Sequence, residues 1–231
     1  MAHYLVTGAN RGIGLEFVKQ LVARDGAHVV ATCRDPEGAD DLQSLAKSCE
    51  GRITILALDV ADAKSVEALV DTLESRDIAL DMVINNAGIY PKAGNLGELD
   101  YDRVMHGFEV NTIGPLRLAE ATLPLLTGSK KVVNLTSQMG SIEDNTSGGS
   151  YAYRMSKVAL NMGFKSFAID TESRGVTSLV MHPGWVQTDM GGPNALISTE
   201  KSVESMLSTI DGATQSDSGK FFGWKGNEIP W

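Results

Sequence analysis

The segment Tyr4-Leu5-Val6-Thr7-Gly8-Ala9-Asn10-Arg11-Gly12-Ile13-Gly14-Leu15 decides how the chain is read. A short β-rich apolar run passes into a turn with three glycines, and Leu15, Val18, Leu21 and Val22 then recur at helical spacing. Glycine permits a tight turn, lets the backbone approach a pyrophosphate and packs a helix against a strand, while unpaired N–H groups at the helix start face the anion. The glycines at 8, 12 and 14 form Gly-x-x-x-Gly-x-Gly rather than the general dinucleotide spacing Gly-x-Gly-x-x-Gly. Taken alone, the segment therefore also reads as a plain structural turn.

Outward from it, short β-rich apolar runs alternate with longer amphipathic ones along all 231 residues, the pattern of strands joined by crossover helices. Strands are expected at Tyr4 to Val6, His28 to Cys33, Ile53 to Leu58, Met82 to Asn85, Lys131 to Leu135, Thr177 to Met181 and Lys220 to Gly223, with about six helices between them. Most are continuous Val, Ile or Leu runs, which suits a sheet covered on both faces. The expected fold is α/β, a doubly wound parallel sheet of about seven strands flanked by helices on both faces. With no domain boundary and no repeat of about 20 to 50 residues, residues 1–231 read as one domain. Loops at Ile142 to Ser150 and Gly191 to Ser198 follow strands at the edge where such sheets bind ligands, and are candidate cleft walls.

A composition of 42% hydrophobic and 21% charged residues belongs to an ordinary globular chain. Twenty Lys and Arg against 29 Asp and Glu leave a net charge of -9, the wrong sign for nucleic acid. The first residues carry no basic n-region, and no run approaches the ~18 apolar residues of a membrane span. A soluble, cytoplasmic protein is expected. Cys33 and Cys49 match neither a disulfide framework nor zinc-ligand spacing, so they read as reduced thiols and no metal site is expected.

The second strand ends at Thr32-Cys33-Arg34, where an NAD-binding domain places an acidic residue on the ribose hydroxyls. Arg34 and Arg11 instead offer two cations that can clamp a 2′-phosphate, favouring NADP over NAD. Two alternatives stand beside this: both arginines as solvated surface residues, and Asp35 repelling a phosphate. In Ser150-Tyr151-Ala152-Tyr153-Arg154-Met155-Ser156-Lys157, Tyr153 and Lys157 lie four apart on one helix face. An adjacent ammonium favours phenolate, so Tyr153 is expected to exchange protons nearer neutrality than a free phenol. Val132-Val133-Asn134-Leu135-Thr136-Ser137 delivers Ser137 to the ligand edge, where its hydroxyl either holds a carbonyl oxygen or closes the strand locally. Asn111 interrupts an apolar helical stretch continuing to Leu126; its side chain or a backbone bend can seat a water that relays protons to Lys157, or it is a tolerated polar residue. His182, before Pro183, reads as structural, and no Gly-x-Ser-x-Gly elbow supports a serine hydrolase.

Five separated motifs make the chain resemble the short-chain dehydrogenase/reductase family over essentially its whole length. They are Thr7-Gly8 through Gly12-Ile13-Gly14, Asp59-Val60, Asn85-Asn86-Ala87-Gly88, the set Asn111, Ser137, Tyr153 and Lys157, and Pro183-Gly184 followed by Thr188. The Ser150 to Lys157 segment, His182 to Gly192 and Ile229-Pro230-Trp231 are most similar to C-factor and sniffer-type carbonyl reductases. The resemblance implies a single-domain Rossmann fold and an NADPH-dependent oxidoreductase moving a hydride between nicotinamide and a carbonyl or alcohol. It implies that Gly8, Asn10, Arg11, Gly12, Ile13, Gly14 and Arg34 bind the cofactor, that Asp59 and Val60 contact adenine, and that Asn86, Ala87 and Gly88 line the ribose pocket. Pro183, Gly184, Val186 and Thr188 would hold the carboxamide. Tyr153 would be the general acid/base, Ser137 would position the oxygen, Lys157 would bind the nicotinamide ribose and lower the tyrosine pKa, and Asn111 would support a water relay. A homodimer or homotetramer through the apolar faces Val110 to Leu126 and Val158 to Ile169 is expected, although either face also fits ordinary core. A substrate-loop region at 184–212, with Glu200 to Ile210 covering the cleft and Trp185, Met139 and Met190 lining it, completes the reading. A C-factor-like signalling or binding protein on the same scaffold is the alternative.

Overall fold

The computed structural model describes residues 2–231. Seven strands, β1 (Ala2–Thr7), β2 (Ala27–Cys33), β3 (Ile53–Ala57), β4 (Leu80–Asn85), β5 (Leu126–Leu135), β6 (Thr177–His182) and β7 (Phe221–Gly223), form one sheet in the order β3-β2-β1-β4-β5-β6-β7. Every neighbouring pair is parallel. All carboxyl ends therefore open on one edge, and the strand order reverses between β1 and β4, the place where ligands bind in sheets of this kind.

Successive residues of β1 bury on opposite faces: Tyr4 and Val6 join one core cluster and Leu5 the other, which is why the strand sequences are apolar throughout. One face is covered by α1 (Gly12–Val22), α2 (Asp40–Ser48) and α7 (Thr199–Gly212), through Phe17, Leu21, Leu42, Val203 and Met206. The other is covered by α3 (Ala63–Ser75), α5 (Gly114–Thr122) and α6 (Tyr151–Asp170), through Leu69, Leu73, Leu118, Leu160 and Phe164. The α4 helix (Tyr101–Phe108) packs beside α6.

Three details depart from the sequence reading. The helical stretch expected to reach Leu126 stops at Thr122, passes through a 3₁₀ turn at Leu123–Leu125, and Leu126 already pairs with Leu80 in the sheet. Pro124 lies in that turn, where its missing N–H and fixed φ do not prolong an α-helix. Next, Glu109–Ile113 is a π-helical turn, with the Gly114 N–H bonded to the Glu109 carbonyl. Pro115 has no N–H to give the Asn111 carbonyl four residues earlier, so the regular ladder is already broken there. Finally, α7 does not cover the cleft: its apolar stripe Val203, Met206, Leu207 and Ile210 is buried in the core beside α1.

Candidate active site

The glycine turn is held between β2 and the end of β4. Ala9 N–H donates to the Thr32 carbonyl (2.9 Å), and the Thr7 hydroxyl oxygen accepts N–H bonds from Asn86 (3.0 Å) and Ala87 (2.9 Å). The Asn86 amide donates to the carbonyls of Thr7 (2.8 Å) and Gly8 (3.1 Å). Gly8 has φ +63°, and a Cβ on Gly14 would stand 2.2 Å from the Gly8 oxygen, so both positions require glycine. The start of α1 has neither a side-chain cap nor an acidic residue in its first turn, whereas Asp62, Asp100 and Ser198 cap α3, α4 and α7. Its free N–H groups and positive end suit a phosphate. A dinucleotide pyrophosphate therefore fits this turn.

Around the turn, Arg34 is exposed and makes no salt bridge among the described residues. Its neighbour Asp35 is exposed too, and its carboxylate accepts the Gly38 N–H (3.1 Å) in a local turn. Arg11 is exposed and lies 3.5 Å from Asp189 of the 184–198 segment. Asn10 is half-buried. Asp59 accepts the Ala61 N–H (3.0 Å), and the Val60 side chain is buried in the core. These residues follow β1, β2 and β3, on one side of the switch point.

On the other side lies a cleft of about 510 Å³ lined by Ile13, Ser137, Tyr153, Pro183, Gly184, Val186 and Thr188, together with Tyr90, Met139, Trp185 and Met190. Of the 184–212 region, residues 184–191 reach it. The Ser137 oxygen accepts the Met139 N–H (3.1 Å), which leaves its O–H for another acceptor. Tyr153 is buried, and the Tyr90 ring lies against it at 4.8 Å between centroids. The expectation of an acidified phenol is corrected here. Burial pushes Tyr153 up to about 12, and hydrogen bonding to Ser137 pulls it only part of the way back. The Lys157 ammonium lies 5.9 Å from the Tyr153 ring centroid, too far to outweigh desolvation in the chain by itself.

Lys157 is buried, its Nζ donates to the Leu135 carbonyl (2.8 Å), and burial lowers its pKa to about 8. A Cβ on Gly88 would make ordinary contact with Nζ (3.6 Å) but would press on Asn111 Oδ1 (3.3 Å). The Asn111 side chain is fully engaged, accepting from Ile89 N–H (2.8 Å) and donating to the Ile89 carbonyl (2.9 Å) and the Ser156 hydroxyl (3.0 Å). The side chain thereby clamps the segment after β4 to α6, and the backbone break beside Pro115 is the second of the two expected routes to a relay. His182, read as structural, lines the cleft. Burial lowers its pKa to about 4 and its Nδ1 has no partner, which makes it a poor base for a serine nucleophile.

Sequence reasoning assigned no individual role to Thr7, Tyr90, Ser156 or Pro115. Ser156 bridges Asn111 and the Tyr153 carbonyl (2.8 Å), and the Thr112 hydroxyl bonds its carbonyl (2.7 Å). A serine inside the Tyr153 to Lys157 turn, and a proline four residues after Asn111, were the available signals.

The short chain dehydrogenase family model matches residues 2–196. The C-signal protein of Myxococcus xanthus is 47% identical over 154 residues, covering 66% of this chain and 93% of that protein. Carbonyl reductase Sniffer of D. melanogaster superposes with a TM-score of 0.94 at 35% identity, with 100% of both chains covered. A carbonyl reductase from chicken fatty liver, whose structure has NADPH bound, superposes with a TM-score of 0.94 at 36% identity, covering 100% of this chain and 99% of that one. With its switch-point glycine turn, its buried tyrosine and lysine, and a family match spanning most of its length, the chain belongs to the short-chain dehydrogenase/reductase family of oxidoreductases.

Proposed function

We propose that the chain is an NADP-dependent carbonyl reductase in which Tyr153 is the general acid/base. The observation that carries this reading is a buried phenol and a serine hydroxyl on the wall of one cleft, with a buried ammonium behind them. When bound, the nicotinamide supplies a hydride; the chain's residues handle the proton and the charge. Tyr153, held protonated by burial, meets a carbonyl oxygen in its acid form. Ser137 donates to the same oxygen. Lys157 spends one of its three N–H donors on Leu135. The others are left for a ribose hydroxyl or water, and its charge stabilises the anion that develops on the tyrosine oxygen as the proton leaves. The broken ladder at Asn111 supplies the carbonyl for a relay water.

Arg11 and Arg34 support NADP over NAD as clamps for a 2′-phosphate, since Asp35 is held in its own turn by Gly38. A second reading, a signalling or binding protein on this scaffold, is favoured by the 47% identity to C-signal. The complete set Asn111, Ser137, Tyr153 and Lys157 supports catalysis instead, because binding alone has no need of it. No helix among the described residues is long and apolar enough to cross a membrane. Most of the apolar residues between Val110 and Leu126 and between Val158 and Ile169 face the chain's own core. A separate exposed stripe of Met155, Met162 and Ile169 on α6, with Tyr101 and Met105 on α4 and Ile113 before α5, supports a homo-oligomer.

Tyr153→Phe is expected to lower NADPH-dependent carbonyl turnover by about 10²- to 10⁴-fold with NADPH affinity nearly unchanged, measured by absorbance at 340 nm and by cofactor titration. No turnover of any aldehyde, quinone or ketosteroid by the parent, despite tight NADPH binding, would move the assignment to the signalling reading. The parent is expected to prefer NADPH, and Arg34→Asp to erode that preference; parent kinetics favouring NADH would overturn the NADP assignment. Lys157→Met is expected to abolish turnover yet stabilise the fold at neutral pH, on the order of 1 to 3 kcal/mol, because it removes a desolvated charge. The unfolded chain keeps the lysine proton to the usual 10.5, whereas the folded chain releases it near 8. Below pH 8 the charge is a standing cost, and stability from this group rises with pH between those values. Tyr153 reverses the sign above its ordinary value of 10, since the folded phenol holds its proton to about 12. Urea titrations of both proteins between pH 7 and pH 10 read this out: the parent's rise should be missing in the variant. Sedimentation equilibrium should give a multiple of 24.7 kDa; a monomer mass would reject the oligomer.

A further inference from the structure

We infer that the segment Ile229-Pro230-Trp231 is a strap that fixes the cleft wall 138–144 and thereby sets which carbonyls fit, an inference that rests on the reductase reading for its substrate class. The strap begins at β7, the edge of the sheet. After a turn at Gly226 (φ +80°), the chain returns antiparallel along β7, with Gly223 N–H donating to Asn227 O (2.8 Å) and Ile229 N–H to Phe221 O (2.8 Å). Ile229 is buried in the core, and the Trp231 ring packs on the buried Phe221 at 5.6 Å between centroids. One end of the strap is therefore rigid.

At the other end, the Trp231 main-chain oxygen accepts bonds from Ile142 N–H (2.7 Å), Glu143 N–H (3.0 Å) and the Ser141 hydroxyl (3.1 Å). Ser141 is 1% exposed, and its oxygen in turn accepts the Asp144 N–H (3.1 Å). Gln138 bonds the Asp144 carboxylate, and Gln138, Met139 and Asp144 line the cleft. Arg154 holds the wall on its other side, through the Met139 carbonyl (3.3 Å), the Gly148 carbonyl (3.2 Å) and the Ser147 hydroxyl (2.8 Å). The segment Ile142 to Ser150 has no helix or strand and is largely exposed, so its position depends on such anchors. Ser137 sits at the end of β5, and Tyr153 and Lys157 on α6, none of them bonded to the strap; Ser137's contacts with the wall, from Met139 and Gly140, lie in a turn that Asn161 holds independently through the Gly140 carbonyl (3.0 Å). Releasing the strap should therefore alter the shape of the cleft more than the reacting groups. Trp231 is a positioning residue in this scheme.

The test compares the parent with Trp231→Ala, Trp231→Phe and Ile142→Pro. The last removes the 2.7 Å donor, and Ser141 already has the extended backbone (ψ 127°) that a following proline requires. Each is assayed with NADPH on the smallest and the largest carbonyl that the parent turns over, alongside amide hydrogen exchange of 138–144. Trp231→Ala and Ile142→Pro are expected to change the ratio of the two KM values by about three- to tenfold, the scale of one lost hydrogen bond, with kcat for the small substrate within about twofold of the parent. Exchange in 138–144 should quicken in both, and Trp231→Phe should restore parent behaviour. An unchanged KM ratio with unchanged exchange would overturn the strap. So would an equal fall in kcat for both substrates with a lowered Tm that Trp231→Phe does not rescue, which would mark a merely structural contact. A parent inactive on every carbonyl would instead overturn the reductase reading, and hydrogen exchange alone would then decide the strap.

Discussion

A charged lysine taken out of water is the constraint around which this fold is arranged. Lys157 is 5% exposed, and its ammonium is bonded to one backbone carbonyl at the end of β5. Desolvation disfavours the charge, as its lowered pKa records. The neighbouring chain is shaped to accept it. Gly140 leaves space beside the stem, where a Cβ would lie 3.0 Å from Lys157 Cβ. Asn111, tied to Ile89 and Ser156, holds the segment after β4 against the tyrosine helix. A fold selected for stability alone has little reason to keep such a charge; the proposed reductase role, steadying a phenolate as it forms, offers a reason for it.

The second organising element is the switch point itself. Parallel strands bring all seven carboxyl ends to one edge, but the two halves of the sheet must also be tied together where strand order reverses. Thr7 and Asn86 do this, through two N–H bonds to one hydroxyl and two amide bonds to the glycine turn. The glycine turn and the residues after β4 are thereby held together by the same four bonds.

The contrast between Tyr153 and Lys157 is informative about electrostatics. Proximity in sequence suggested an acidified phenol, yet both groups shift toward their neutral forms because both are buried. Four-residue helical spacing brings two side chains to one face without placing the ammonium on the phenolic oxygen. Under the proposed chemistry, the lysine's influence on the tyrosine would grow with the charge that appears during proton transfer, not in the resting phenol.

The strand runs, the glycine turn and the Tyr153 to Lys157 spacing were legible in the sequence, because each is a local pattern whose period or steric requirement is carried by the residues themselves. The seven strands, the two-sided burial and the cleft positions of Ser137, Trp185, Met139 and Met190 follow from that. Tertiary structure alone decided that α7 belongs to the core, that His182 faces the cleft, that the Asn111 side chain is spent on Ile89 and Ser156, and that Trp231 reaches Ile142. Each of these depends on which distant residue completes a hydrogen bond or covers an apolar face, and on how much water remains around a titrating group. Neither is written into local spacing; both exist only once the chain has closed on itself.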